Sequence, residues 1–350
     1  MIHRIATVVF VLSVSACTPV PQPTTATSAP PPAGWVDPSP HQIRFVTVAP
    51  DIRLELLDWG GDGPPLIFLA GLTSSAHVFD DFAPAFRDRF HVYGVTRRGF
   101  GASSQPKTGY DIATLSADLV RVLDDIGAAK ASFAGHSIAG EELTWLAVHE
   151  PERIDKLVYL DAAYDRVREV PREADGADEH HAPPDPTDAD EALGPPDPTD
   201  ADKASVAAFN AYLERNYGIR LLEAELRATS IFDAGGRYLR DRTPDDIVNA
   251  IAQGVVHPDY THIAAPALAI YAVSESAESA IPFWNTLNAA SRAKLTAEFA
   301  QIAENTGKQR DRFRREVPRG RVVEIRNANH NVFISHPAIV LKEMRAFLTP

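Results

Sequence analysis

The sequence predicts an α/β protein: a mostly parallel sheet of about eight strands, flanked by helices, with a helical insertion ahead of the last two strands. Three observations predict it. From Leu66 to Leu160, short apolar runs bounded by turn residues alternate with stretches whose apolar residues recur every three or four positions. Such alternation implies right-handed βαβ crossovers and parallel pairing. Strand-like runs then vanish between about residues 161 and 262, and return at Pro266–Tyr271 and Arg321–Ile325. Finally, Ala131–Glu142, reading ASFAGHSIAGEE, has the form of a strand, a turn of small residues and the start of a helix.

Taken in order, the chain opens with features that do not belong to that globule. Met1–Arg4 is basic, Ile5–Val14 is an apolar run too short to span a bilayer comfortably, and Ser15-Ala16 are small. Residues 1–16 therefore read as a secretory signal peptide. The single cysteine, Cys17, follows directly. Val14-Ser15-Ala16-Cys17 resembles the lipobox of bacterial lipoproteins, which implies lipidation of Cys17 and export to the cell envelope, with a soluble secreted or periplasmic protein as the alternative. Residues 17–40 are rich in Pro, Thr, Ser and Ala and read as an extended tether. With one cysteine there is no internal disulfide to expect.

The core is expected in two pieces, residues 41–161 and 263–350. Ile43–Val48 and Ile52–Trp59 alternate as two strands joined at Ala49-Pro50-Asp51. Leu66–Ala70 and Phe90–Val95 are buried strands, with helical spacing over Ser74–Arg89 between them. Ile112–Ile126 is an amphipathic helix, and Ile138–Val148 is the helix behind the turn of small residues. Ile154–Leu160 is the sixth strand. After the insertion come the strand Pro266–Tyr271, a long helical region Asn288–Arg315, the strand Arg321–Ile325 and a closing helix through Phe347.

The insertion, residues 162–262, begins with an acidic low-complexity tract. Residues 165–202 hold thirteen Asp/Glu against three Arg, and so carry −10 of the net charge of −13. The acidity belongs to one segment and is no argument for a cationic substrate, while the lack of a basic face argues against nucleic acid. The octapeptide Pro-Pro-Asp-Pro-Thr-Asp-Ala-Asp occurs at Pro183–Asp190 and again at Pro195–Asp202. Two short copies read as a slipped duplication in a solvated loop, and they lack the regular glycines of a calcium-binding repeat. His180-His181 are adjacent and lack metal-ligand spacing. Helical patterning returns at Ala204–Asn216, Arg220–Ser230 and Pro244–Gln253.

Gly135-His136-Ser137-Ile138-Ala139-Gly140 carries the chemistry. A strand-turn-helix corner of small residues pushes a serine hydroxyl out of the backbone at a helix N-terminus, where free N–H groups meet developing negative charge. On these residues the chain resembles the α/β-hydrolase family, whose nucleophile elbow reads Gly-x-Ser-x-Gly, with Ala139 in the last place and Gly140 after it. The resemblance runs from about Ile43 to Phe347 and implies the α/β-hydrolase fold, with the helical insertion as a cap over the catalytic strand ends.

It also implies a Ser–acid–His triad in that order. Ser137 is the nucleophile, and His330, in Asn-Ala-Asn-His330-Asn after the last strand, is the base. The acid is Glu275 where the family's seventh strand ends, with Asp161 at the end of the sixth strand as the alternative. The oxyanion hole falls to the N–H groups of Ile138 and of Leu72, in Ala70-Gly71-Leu72 after the third strand. Arg97-Arg98-Gly99-Phe100-Gly101-Ala102-Ser103 resembles a loop of the family that is usually structural. Ser137 argues against epoxide hydrolases and haloalkane dehalogenases, which need an aspartate at the elbow. The implied activity is hydrolysis of a small carboxylic ester through an acyl-enzyme, with no cofactor or metal and with His330 neutral. The same machinery suits an amide, a lactone, a C–C bond or perhydrolysis; a non-catalytic ligand-binding lipoprotein is the reading from another class.

Overall fold

The computed structural model describes residues 35–167 and 194–349. The expected signal peptide, Cys17, most of the tether, His180-His181 and the first octapeptide copy lie outside the described residues. Ten strands lie among the described residues: β1 Gln42–Ala49, β2 Ile52–Gly60, β3 Pro65–Leu69, β4 His91–Val95, β5 Ala131–His136, β6 Ile154–Leu160, β7 Ser230–Phe232, β8 Tyr238–Asp241, β9 Ala267–Val273 and β10 Gly320–Arg326. The helices are α1 Ile112–Asp125, α2 Ala139–His149, α3 Val206–Tyr217, α4 Glu223–Thr229, α5 Asp245–Gln253, α6 Ala277–Ala280, α7 Ala289–Glu316, α8 Val332–Ser335 and α9 Pro337–Leu348.

Eight strands form one sheet in the order β1-β2-β4-β3-β5-β6-β9-β10. β2 pairs antiparallel with β1 and with β4; the remaining pairs are parallel. Successive residues of a strand face opposite ways, and both faces are apolar. Ile67, Phe133, Tyr159 and Tyr271 enter one core with Leu119 and Val122 of α1, Leu143 and Leu146 of α2, and Phe313 of α7. Their neighbours Leu66, Phe68, Ala134, Val158 and Leu160 enter the other, with Phe79, Phe82, Phe86, Phe333 and Met344. Burial on both faces is why these strands read as continuous apolar runs.

The expected helix over Ser74–Arg89 is instead two 3₁₀ turns, Ala76–Phe79 and Ala83–Phe86. The rings of Phe79, Phe82 and Phe86 all lie 5.0 to 6.2 Å from that of Phe68. A chain bent into short turns brings the three onto one point of the sheet, and Pro84 supplies no N–H to continue a helix. The insertion holds α3, α4 and α5, and also a small antiparallel pair, β7 with β8, that strand patterning did not reveal. These strands are three and four residues long, too short for a periodic signal. Phe209, Tyr212, Leu213, Tyr217, Leu226 and Tyr238 give the insertion a core of its own.

The insertion meets the sheet at loops that follow strands. Glu225 of α4 accepts from Ser75 N–H at 3.0 Å after β3. Thr243 Oγ donates to Gly99 O at 2.7 Å after β4, and Asn329 Nδ2 after β10 donates to Tyr217 O at 2.8 Å.

Candidate active site

Ser137 lies between β5 and α2 with φ +55°, a left-handed conformation uncommon for a residue with a side chain. Its N–H reaches Leu160 O at 3.2 Å, and its carbonyl accepts from Gly140 N–H at 3.0 Å. The turn is this tight because its neighbours are small. A Cβ at Gly140 would stand 2.1 Å from Ala162 O, so α2 passes against the chain leaving β6 only with glycine there. Ala139 is fully buried. Alanine is therefore tolerated in the last place of the Gly-x-Ser-x-Gly pattern, and the close approach falls one residue later.

The loop after β3 presses on the same turn. A Cβ at Gly71 would lie 2.8 Å from His136 Nδ1 and 3.2 Å from Ser137 Cβ. Leu72 follows Gly71 directly, and Ile138 stands at the N-terminus of α2; the two residues expected to donate to an oxyanion thus flank Ser137. Arg97 holds this loop from below. It pairs with Glu142 of α2 through two bonds of 2.7 and 2.6 Å and donates to Ala70 O at 3.0 Å. Sequence reasoning gave the Arg97 loop no part in the site. The side chain locks the loop of Leu72 to the helix behind Ser137.

The structure brings His330 to Asp161. His330 Nδ1 lies 2.6 Å from Asp161 Oδ2, both side chains nearly buried. Asp161 directly follows β6, with φ +48° and with its N–H on Ile270 O at 2.7 Å. Its Oδ1 accepts from Ala272 N–H at 3.1 Å and from Tyr164 Oη at 2.7 Å. Burial holds the Tyr164 phenol well above its ordinary value, so it stays a donor. Glu275, preferred over Asp161 on sequence, is elsewhere: it is half exposed, with Oε1 2.7 Å from Arg326 Nη1. β9 ends at Val273, and two further residues carry Glu275 out into solvent.

His136, beside the serine, was not singled out on sequence. It is buried, its Nε2 lies 3.1 Å from the carbonyl of His330, and the two rings are 4.6 Å apart. Burial holds its value well below that of a free imidazole. The neutral ring donates from Nε2 and fixes the backbone of His330 next to the elbow.

The eight-stranded sheet in this order has counterparts among known proteins. A family model described as alpha/beta hydrolase fold matches residues 64–234. The solved structure of E-2-(acetamidomethylene)succinate hydrolase superposes with a TM-score of 0.59 at 22% identity, over 88% of this chain and 99% of that one. The chain has the α/β-hydrolase fold. Among curated relatives, 3-oxoadipate enol-lactonase 2 of Acinetobacter baylyi is 34% identical over 35% of this chain and 46% of its own length. Epoxide hydrolase A of Mycobacterium tuberculosis is 39% identical over 27% of this chain and 31% of its own length. The chain thus spans less than half the length of these curated hydrolases. The α/β-hydrolase fold places the loops after β3, β5, β6 and β10 at one edge of the sheet, the customary seat of a ligand site in an open parallel sheet.

Proposed function

We propose that this chain is a serine hydrolase that cleaves a carboxylic ester through an acyl-enzyme. One observation carries the reading: the buried pair His330–Asp161, whose imidazole lies 4.6 Å from the ring of His136, the residue before a serine forced to φ +55°. Ser137 Oγ attacks the carbonyl carbon and passes its proton to His330 Nε2. Asp161 accepts from His330 Nδ1–H and steadies the imidazolium. The N–H groups of Leu72 and Ile138 receive the oxyanion; one such donor contributes about 3 kcal/mol in the transition state. His330 returns the proton to the departing alcohol, and the same steps with water release the acid.

A serine at the elbow separates this chain from relatives that open epoxides, because that chemistry takes an aspartate nucleophile. The names of the similar hydrolases, one an enol-lactonase, make lactones the first alternative to open-chain esters. Export, a lipid anchor at Cys17 and a tether from there to the folded body belong to the same proposal, on the sequence alone.

The test is a fluorophosphonate that labels active serines, followed by a panel of short-chain p-nitrophenyl esters, lactones and amides. Labelling and turnover that both vanish in Ser137→Ala support the hydrolase. Equal rates in wild type and variant favour a binding protein that uses the fold without the chemistry.

A further inference from the structure

Asp37 and His41 stand four residues apart at the start of the described chain, while His77 and Asp80 belong to the first 3₁₀ turn after β3 and its C-cap. In space the four converge, with one ligating atom from each within 4.8 Å of every other. We propose that Asp37, His41, His77 and Asp80 bind one divalent transition-metal ion, zinc foremost, which pins the arriving chain to the turn behind the loop of Leu72.

The spacing fits that ion. His77 Nδ1 lies 3.0 Å from Asp80 Oδ2 and 3.4 Å from Asp37 Oδ2, and His41 Nε2 lies 3.6 Å from Asp37 Oδ2. Zinc bonds of about 2.0–2.2 Å in a tetrahedron set neighbouring donors roughly 3.3–3.6 Å apart. The second nitrogen of each imidazole also has a carboxylate behind it. His41 Nδ1 is 2.8 Å from Asp80 Oδ1, and His77 Nε2 is 3.7 Å from Glu55 Oε1. Such carboxylates orient ligating imidazoles and raise their basicity. Asp80 Oδ1 is fixed further by Trp59 Nε1–H at 2.9 Å, and Glu55 by Thr96 Oγ–H at 2.8 Å.

Hydrogen-bond accounting points the same way. All four imidazole nitrogens face carboxylate oxygens, yet a neutral imidazole has a single N–H. Two of these contacts therefore set lone pair against lone pair unless a cation or two added protons stand between them. The side chains of His41 and Asp80 are only 2% and 1% exposed, and a dication there neutralises the buried Asp80 carboxylate. Four protein donors fill a tetrahedron and leave no place for substrate, so the role is structural. The turn it fixes is the one capped by Ser75, which donates to Glu225 of the insertion. Metal, insertion and oxyanion loop would thus share one anchor point.

The full-length protein is stripped with EDTA and titrated with Zn²⁺ alone by calorimetry, and separately with Co²⁺ while its visible absorption is followed. Expected are one equivalent of zinc, a raised Tm, and the intense d–d bands of tetrahedral cobalt. Asp37→Asn or His41→Gln should weaken binding by at least about 100-fold, and Glu55→Gln by about 10-fold. No stoichiometric binding overturns the site and leaves a hydrogen-bonded cluster with protonated imidazoles. Binding unmoved by Asp37→Asn and His41→Gln overturns it too. The cobalt spectrum of the wild type reads the ligand geometry even where a variant fails to fold. Neither outcome depends on whether Ser137 hydrolyses anything.

Discussion

Ser137 pays for its exposure with a backbone conformation that costs a residue with a side chain about 1 kcal/mol or more. What that strain offers depends on the proton acceptor, and the surroundings of two carboxylates decide who supports it. Asp161 is buried and receives bonds from Ala272 N–H and Tyr164 Oη besides facing His330. Asp161→Asn should fold and lose roughly 10⁴-fold in kcat, because the amide favours the wrong tautomer of His330. Glu275→Gln loses only a solvent-exposed pair with Arg326, worth at most about 1 kcal/mol of stability, and should keep kcat within about twofold. Ester turnover by both variants checks the pair. His136→Phe keeps the ring but removes the bond to the His330 carbonyl, and a loss of about tenfold in kcat with little change in KM would mark a positioning role, of order 1 kcal/mol for one hydrogen bond. The turn that carries Ser137 and the loop that carries His330 were legible because each lies in a run whose spacing and small residues already specify a turn. The carboxylate that pairs with His330 was not, since the choice turns on where β9 stops. Pairing with β6 and β10 ends it at Val273, a fact of the sheet that no local pattern records.

Between elements, the joints that matter are polar and were the least visible in the sequence. Arg97 and Glu142 are forty-five positions apart and carry no pattern that links them. Yet Arg97 fastens the loop after β3 to α2, the two elements that flank Ser137. Removing one member leaves the other charged and buried, at a cost of about 3–5 kcal/mol. Arg97→Met should therefore lower Tm steeply, while Arg97→Met with Glu142→Met should recover much of the loss and still show reduced kcat. Denaturant melts and kinetics on the two variants test this. The strands and long helices were legible because apolar period and burial coincide in them. The segment after β3 was not, for its phenylalanines keep helical spacing while the chain around Pro84 bends into 3₁₀ turns. β7 and β8 escaped notice because three or four residues cannot show a period.

At the scale of the molecule, every proposed catalytic group lies within residues 72–330, inside the described body, and Cys17 stands eighteen positions before its first residue, Trp35. A chain starting at Trp35 should thus keep the kcat of the full-length protein towards a soluble ester and lose membrane association, as Cys17→Ala should; fractionation and turnover read the two effects separately. The folded body also carries a pH dependence. Glu141 of α2 is buried with Arg166 Nη1 at 3.3 Å as its ion-pair partner among the described residues, and burial pushes its carboxyl up to about 7. Burial does the same to Glu225, also to about 7, against the lowering effect of Ser75. With a native value above that of the unfolded chain, each group keeps its proton through a range in which the unfolded state has lost it. Stability therefore falls as pH rises from about 4.5 to about 7 and stays lower above that, by up to about 3 kcal/mol per group. Glu141→Gln should remove one share of that slope and Glu225→Gln the other. Melts of both variants and the double variant from pH 4.5 to 8, run in EDTA so that a cation near Ser75 does not draw Glu225 down, test the assignment; a slope unchanged in the double variant would refute it.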